Sequence, residues 1–578
     1  MAFRRPVTTF CTEAAYDAVN DAFQEEHRLG EAPEPPGLPE RLRRWVVSRR
    51  GAILCLLGLW LAFIVGQLTP CFDMNPDSAR YLALARSISG GRGYTLEGRF
   101  FRSYPPLFPL MLSTVASAER HDFRPEKLIV ALTGLGALLA SYWLLSQRHD
   151  ARTAAFLALL VAVSPSFLRY CIRIRADVPF LFFVAIFAGA TDYFWRARKI
   201  SWPAGLASGA ALALATLTRL AGLVFYLTAF AWLARPSLWR RDARRCVVFG
   251  ICMMFLAVPP AVGWSAWVHS RREDGTASYG EGVRARTMQG EPPLSVRGLR
   301  LLAAKEARTV PVQVANAAKT VVRIGGSTCS PFWAALLLPV GLLGLLRRLR
   351  APAASDYAFC GYGLMILFWP MPQGARLWLP VLPLMLGYLA DGVAGLGHFA
   401  DEFPALGRWE WVKRSDRLLG RWRAKVAWWG TASLLAIGLV TGTGMIWQSW
   451  LKCRDAVGGV GLSTAPLDVA RFLSAGHTRP VVLSYSRFRE VAPAISDPKV
   501  RLVGLPLSAG DDGEAVLREL RRSGVTHLAI EREISGAQDR VRVLKAAREL
   551  AAADPGRLRL VAETEHVQVF ELPPPEPP

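Results

Sequence analysis

Stretches of about twenty apolar residues recur from one end of this chain to the other, and few folds can accommodate such a pattern. They lie near 51–69, 127–146, 153–168, 178–195, 203–217, 220–234, 246–268, 331–346, 356–371, 377–397 and 427–449, eleven in all. In hydrocarbon the backbone must satisfy its own hydrogen bonds, so each stretch is predicted to be a membrane-spanning helix. The composition agrees, with 52% apolar and only 20% charged residues. Two of the stretches are short and meet at Thr218 and Arg219, where one broken element is the alternative.

The formal charge of +23 would suggest nucleic acid in a soluble protein. Here the basic residues sit mostly between apolar stretches, where they set orientation, and no nucleic-acid partner is expected. Placing the N-terminus inside makes 41–50, 148–152, 196–199, 235–245, 347–350 and 408–425 cytoplasmic, with 25 Lys or Arg among them. The reading is a multi-pass protein of the cytoplasmic membrane. It comprises a polar, disordered cytoplasmic segment at 1–45, a multi-span helical domain at 46–450 with outer loops at 70–126 and 269–330, and an extracytoplasmic α/β domain at 451–578. The last rests on apolar runs such as 480–485 and 525–531 that alternate with helix-like stretches. Nine scattered cysteines form no CxxC pair and the eight histidines no His-x-x-x-His pair, so neither a zinc site nor a disulfide framework is supported.

The segment MNPDSARYLALARSISGGRGY at 74–94 directly follows the first apolar stretch. Asn75 and Pro76 suit a helix start, and Gly90, Gly91 and Gly93 a helix stop. Tyr81, Leu84, Ala85 and Ile88 then share one face with Asp77, so the helix is expected to lie in the interface with its acid turned toward the protein. The stretch RFFRSYPPLFPLMLSTVASA at 99–118 is too short to cross and forms a second interfacial or re-entrant element. On the same outer side, residues 169–177 carry Arg169, Arg173 and Arg175 against the positive-inside trend, which points to an anion there.

An outer Asp just past the first span, in the pattern D-x-x-x-Y-x-x-x-A followed by a Gly-rich turn and a PPL element, resembles the GT-C class of polyprenyl-phosphate-sugar glycosyltransferases. The nearest branch is that of bacterial protein mannosyltransferases and lipid A aminoarabinose transferases. RADVPFLFF at 175–183, TLTRLAGL at 216–223 and RLWLPVLPLML at 376–386 agree with it. The resemblance implies a GT-C fold of about eleven spans with interfacial helices in the first outer loop. It also implies an inverting transfer of sugar from a polyprenyl phosphate to an acceptor outside the membrane, whether glycolipid, polysaccharide or protein. Asp77 takes the place of the general base and Asp177 that of the second carboxylate, orienting the acceptor or holding a divalent cation. Arg102, Arg175, Arg219 and Arg376 are the candidates for the leaving phosphate, with Tyr81 beside them. The commonest family pattern has a second acid directly after the first, where this chain has Ser78; Asp73, four residues before Asp77, is a candidate to share the role.

Each residue also has a plain structural reading: Asp77 complements a helix dipole, Asp177 caps a helix, and Arg376 anchors a span end. Two other function classes compete, a glycolipid transporter or flippase without transfer chemistry and a non-catalytic scaffold of the same fold. A transporter places ionisable groups near the bilayer midplane, often in related repeats. This chain gathers its candidates at one face.

Overall fold

The computed structural model describes residues 49–65, 68–69, 76–96, 99–117, 122–197, 201–271, 296–321, 330–369, 374–395, 440, 444, 469, 472, 481–485, 500–503, 512–531, 538–554, 556–564 and 567–573. The chain divides into two units, Met1–Cys55 and Leu56–Pro578, and the site lies wholly in the second. Helix α1 (Arg49–Val65) is followed by α2 (Pro76–Ser89), a two-residue hairpin of β1 (Thr95–Leu96) and β2 (Arg99–Phe100), and the short α3 (Leu107–Ser113). The helix expected within 74–94 and a short helix within 99–118 are thus present. Gly91 and Gly93 end α2 with φ of 72° and 74°, a conformation that glycine adopts at little cost.

A helical bundle follows, comprising α4 (Arg124–Ser146), α5 (Ala151–Val163), α6 (Pro165–Cys171), α7 (Asp177–Arg196), α8 (Trp202–Thr218), α9 (Leu223–Leu233) and α10 (Pro236–Ser270). Then come α11 (Val296–Val321), α12 (Ser330–Leu349), α13 (Ala354–Leu367) and α14 (Leu382–Gly395). Asp150 caps α5 by accepting from the Arg152 and Thr153 N–H groups. The stretch expected at 153–168 is bent by 60° between α5 and α6, where Ser164 caps the second helix and Pro165 opens it.

Eleven spans were expected. Among the described residues, α4, α7 and the Asp242–Ser270 part of α10 are long and apolar enough to cross a membrane, with a fourth if α5 and α6 form one span. α8 and the helices after Leu220 and Leu379 are apolar but shorter, and the stretch at 427–449 lies almost wholly outside the described residues. The pair of stretches meeting at Arg219 are separate helices. Arg219 itself is extended, a single 3-10 turn covers Leu220–Gly222, and a Cβ on Gly222 would sit 2.7 Å from the Thr216 backbone. The chain therefore doubles back, and α9 runs down to Arg235, which donates to the Pro352 carbonyl in the α12–α13 turn. Within the long loop expected at 269–330, residues Val296–Val321 form α11, an element absent from the sequence reading because its apolar positions are interrupted by charge and by Pro311.

Glycines set the closest crossings. A Cβ on Gly344 of α12 would lie 1.8 Å from the Tyr388 carbonyl oxygen of α14, and one on Gly392 would lie 1.9 Å from that of Val340. Gly209 of α8 meets Met253 of α10 in the same way, and Gly134 of α4 lies against Cys171. The core between these helices is apolar, built on Phe180, Phe187, Phe225, Trp232, Phe249 and Tyr362.

The C-terminal stretch holds β3 (Val481–Tyr485), β4 (Val500–Val503), α15 (Gly513–Arg522), β5 (His527–Glu531), α16 (Gln538–Ala553), β6 (Arg559–Glu563) and β7 (Val567–Glu571). The sheet order is β4-β3-β5-β7-β6, parallel across β4, β3 and β5 and antiparallel across β5, β7 and β6. Val516, Leu517 and Leu520 of α15 and Val543 and Leu544 of α16 pack against it.

Candidate active site

The start of α2 sets the first functional side chain. Pro76 opens the helix and Asp77 lies in its first turn, while Ser78, Tyr81, Leu84 and Ala85 are buried. Asp77 is half-buried and is held from two sides. The Tyr104 hydroxyl donates to one carboxylate oxygen at 2.7 Å, and Arg376 donates to the other at 2.6 Å from 299 residues away in sequence. Arg80, one turn beyond Asp77 on α2, donates to the Tyr104 hydroxyl at 3.1 Å. Tyr104 keeps this place because Tyr94 donates to its carbonyl and to that of Pro105, pinning the turn before the double proline.

A second ion pair stands beside the first. Asp177, in the first turn of α7 and 3% exposed, is bonded by Arg219, the extended residue at which α8 ends. Arg219 also lies over the Phe180 ring at 5.8 Å, which gives the guanidinium an apolar face to rest on. Arg376 interacts electrostatically with both Asp177 and Asp77, so the two pairs share one field. Arg175 adds positive charge to Asp77; it is 6% exposed, lies over the Tyr170 ring at 5.6 Å, and among the described residues its Nε has no hydrogen-bond partner.

Burial pushes the Asp77 carboxyl up, but the charge and hydrogen bond of Arg376, the Tyr104 hydrogen bond and the charge of Arg175 outweigh it and hold the group at about 2. Tyr104 is driven the other way, to about 12, by burial and by the Asp77 charge. The Tyr81 hydroxyl is likewise raised by burial, with Tyr104 and both aspartates adding to the shift. The Tyr81 ring lies tilted at 4.7 Å from that of Tyr104 and edge-on at 4.8 Å to Phe108 of α3, so it fixes α2 on α3. At neutral pH the Asp77 carboxylate is ionised and bound by the Arg376 guanidinium, with the neutral Tyr104 and Tyr81 hydroxyls beside it.

Of the seven residues singled out in the sequence, the structure brings Asp77, Asp177, Arg175, Arg219, Arg376 and Tyr81 to one end of the bundle. Arg102 is half-buried on the connection two residues before Tyr104. Asp73 lies outside the described residues. Tyr104 and Arg80 were missed. Tyr104 was legible only as the residue immediately before the two prolines. Among the described residues no three His, Cys, Asp or Glu side chains converge, and both site carboxylates are taken by arginines, so the residues as arranged do not fit a divalent cation.

Residues 103–264 match the family of dolichyl-phosphate-mannose-protein mannosyltransferases. No curated protein matches the sequence. The crystal structure of ArnT from Cupriavidus metallidurans bound to undecaprenyl phosphate is 16% identical with a TM-score of 0.54, over 90% of this chain and 98% of that one. The archaeal oligosaccharyltransferase AglB from Archaeoglobus fulgidus, solved with an inhibitory peptide and a dolichol-phosphate, is 13% identical over 85% of this chain and 70% of that one, with a TM-score of 0.47. Residues 103–264 thus match a mannosyltransferase family model, and the chain as a whole is similar in fold to the ArnT structure.

Proposed function

We propose that the protein transfers a sugar from a polyprenyl phosphate carrier to an acceptor hydroxyl at the outer face of the cytoplasmic membrane, with inversion. The observation that carries this reading is the meeting of Asp77 with Arg376 across 299 residues, beside Arg175 and the Asp177–Arg219 pair. A carboxylate beside several guanidinium groups at the rim of a bundle suits a reaction that takes up one proton and releases one phosphate anion. The acceptor oxygen attacks the anomeric carbon, its proton passes to an Asp77 oxygen, and the sugar–oxygen bond to phosphate breaks. The phosphate leaves as a stable anion, so it needs positive charge rather than an acid, and Arg175, Arg376 and Arg219 supply it. Asp177 holds Arg219 in place and lies on the acceptor side.

Held at about 2, Asp77 is a feeble base while Arg376 is bound to it. A donor phosphate competing for Arg376 loosens that pair and returns basicity to the carboxylate as the reactants assemble. The distribution of Lys and Arg between the apolar stretches supports the outer location. A GT-C neighbour whose crystal structure holds undecaprenyl phosphate supports a lipid-linked donor.

The test is transfer by the purified protein in nanodiscs from radiolabelled polyprenyl phosphate sugars. Asp77→Asn is expected to lose on the order of 10²- to 10⁴-fold in turnover, and Asp177→Asn to weaken donor binding by releasing Arg219. Full turnover by Asp77→Asn overturns the base assignment. Movement of the lipid across the bilayer without transfer from any donor favours the transport reading.

A further inference from the structure

Two buried polar side chains beside the Arg376 turn have no hydrogen-bond partner among the described residues. Gln313 of α11 is fully buried, and among the described residues both its amide nitrogen and its amide oxygen are without a hydrogen-bond partner. Tyr362 of α13 is also fully buried, and its hydroxyl has none either. Native proteins rarely leave such groups unmade, because a buried donor or acceptor forfeits the bonds it had in water. A persistent exception asks for a ligand.

Both residues are tied to the site. The Trp378 indole donates to the Gln313 backbone carbonyl at 2.9 Å, and the Thr320 hydroxyl donates to the Ala375 backbone carbonyl at 3.0 Å, so α11 grips the turn on either side of Arg376. Thr309, Gln313, Asn316 and Thr320 recur at intervals of three and four, which places four buried polar residues on one face of α11. The neighbouring positions Val314, Ala317, Ala318 and Val321 line an apolar pocket instead, so the polar stripe is confined to one face. Tyr362 stacks on Phe225 at 5.3 Å, and its hydroxyl lies in the field of Arg219, Asp177 and Arg376. The guanidinium groups there already have carboxylates or await an anion. The remaining need is for neutral partners that both donate and accept, which is the chemistry of a hydroxyl.

We propose that the Gln313 carboxamide and the Tyr362 hydroxyl form a hydrogen-bonding wall that reads the sugar hydroxyls of the donor whose phosphate lies at Arg376. This rests on the transferase reading given above. The Gln313 side chain has three rotatable bonds, so engaging a ligand takes a rotamer change rather than backbone motion. The amide offers a donor and an acceptor to adjacent hydroxyls, and the phenol adds one more of either kind.

The experiment measures binding in nanodiscs of decaprenyl phosphate alone and of decaprenyl phosphate carrying mannose or arabinose, for wild type, Tyr362→Phe and Gln313→Met. Both substitutions keep size and remove only the polar atoms. Each is expected to lower the preference for a sugar-bearing lipid over the bare one by about tenfold, about 1.4 kcal/mol, while affinity for decaprenyl phosphate is unchanged. Gln313→Asn, which keeps the amide but draws it back by one carbon, is expected to fall between. Variants that bind all the lipids as wild type does overturn the proposal, and equal loss of bare and sugar-bearing lipid overturns it by making the two residues supports of the Arg376 turn. A wild type that prefers the sugar-bearing lipid but never transfers sugar sinks the transferase reading and leaves the wall standing.

Discussion

At the scale of single residues, the site is governed by which partner Arg376 holds. With Arg376 in place the Asp77 carboxyl lies at about 2, so it is ionised throughout the ordinary pH range and adds no acid limb to the rate. Its stabilising contribution is present above the ordinary carboxylate pKa and is lost as pH falls through about 2. Arg376→Gln removes the charge and hydrogen bond that oppose burial. The carboxyl then rises, and an acid limb is expected to enter the pH profile of kcat/KM above its wild-type position, together with weaker binding of bare polyprenyl phosphate. A variant with weaker binding but an unmoved profile shows that Arg376 does not control Asp77. The sequence singled out Asp77, Tyr81 and the arginines through their resemblance to a family pattern. Tyr104 was not, since its role depends on the Tyr94 bonds that pin its turn and on Arg80 meeting it from α2.

At the scale of elements, helix approach is set by missing side chains as much as by those present. Gly392 lies where a Cβ would meet the Val340 carbonyl at 1.9 Å, and backbone cannot yield as a side-chain tip can. Gly392→Leu is therefore expected to cost about 1–3 kcal/mol and to lower the melting temperature of the detergent-solubilised protein. Gly263→Ala on α10, where a Cβ meets nothing within 4 Å, is expected to be neutral or slightly stabilising, since alanine favours helix over glycine. Equal melting of both variants and wild type argues that α12 and α14 are not packed this closely. Sequence periodicity located α2, the helices from α4 to α10 and the strands β3, β5, β6 and β7 within a few residues. It missed α11, whose polar face is turned inward, the reverse of the amphipathic pattern that marks a surface helix.

At the scale of the whole molecule, the bundle is tied at the end opposite Asp77 by a buried ionic knot. Arg148, at the foot of the roughly 34 Å α4, donates to Asp192 of α7 at 2.9 Å and to Asp356 of α13 at 2.8 Å, while Tyr388 of α14 donates to Asp356 at 2.7 Å. Nearby, Arg348 of α12 is bonded to Asp391 of α14. Arg148→Met leaves two buried carboxylates without their cation and is expected to cost about 3–5 kcal/mol, seen as loss of monodisperse protein on size exclusion after mild heating. The folded fraction is expected to keep its KM for donor, because the knot and the site lie at opposite ends; a changed KM without loss of stability contradicts that separation. By itself the sequence marked the chain as a helical membrane bundle and raised the expectation that Asp77, Asp177, Arg219 and Arg376 share one level, because apolar length and interposed charge are local properties. Only the tertiary structure decided that Arg376 pairs with Asp77 and Arg219 with Asp177, that Tyr104 completes the first pair, and that Arg148 closes the far end. Those pairings depend on which helices touch, and helix contacts are set by glycine crossings and side-chain packing that no local pattern encodes.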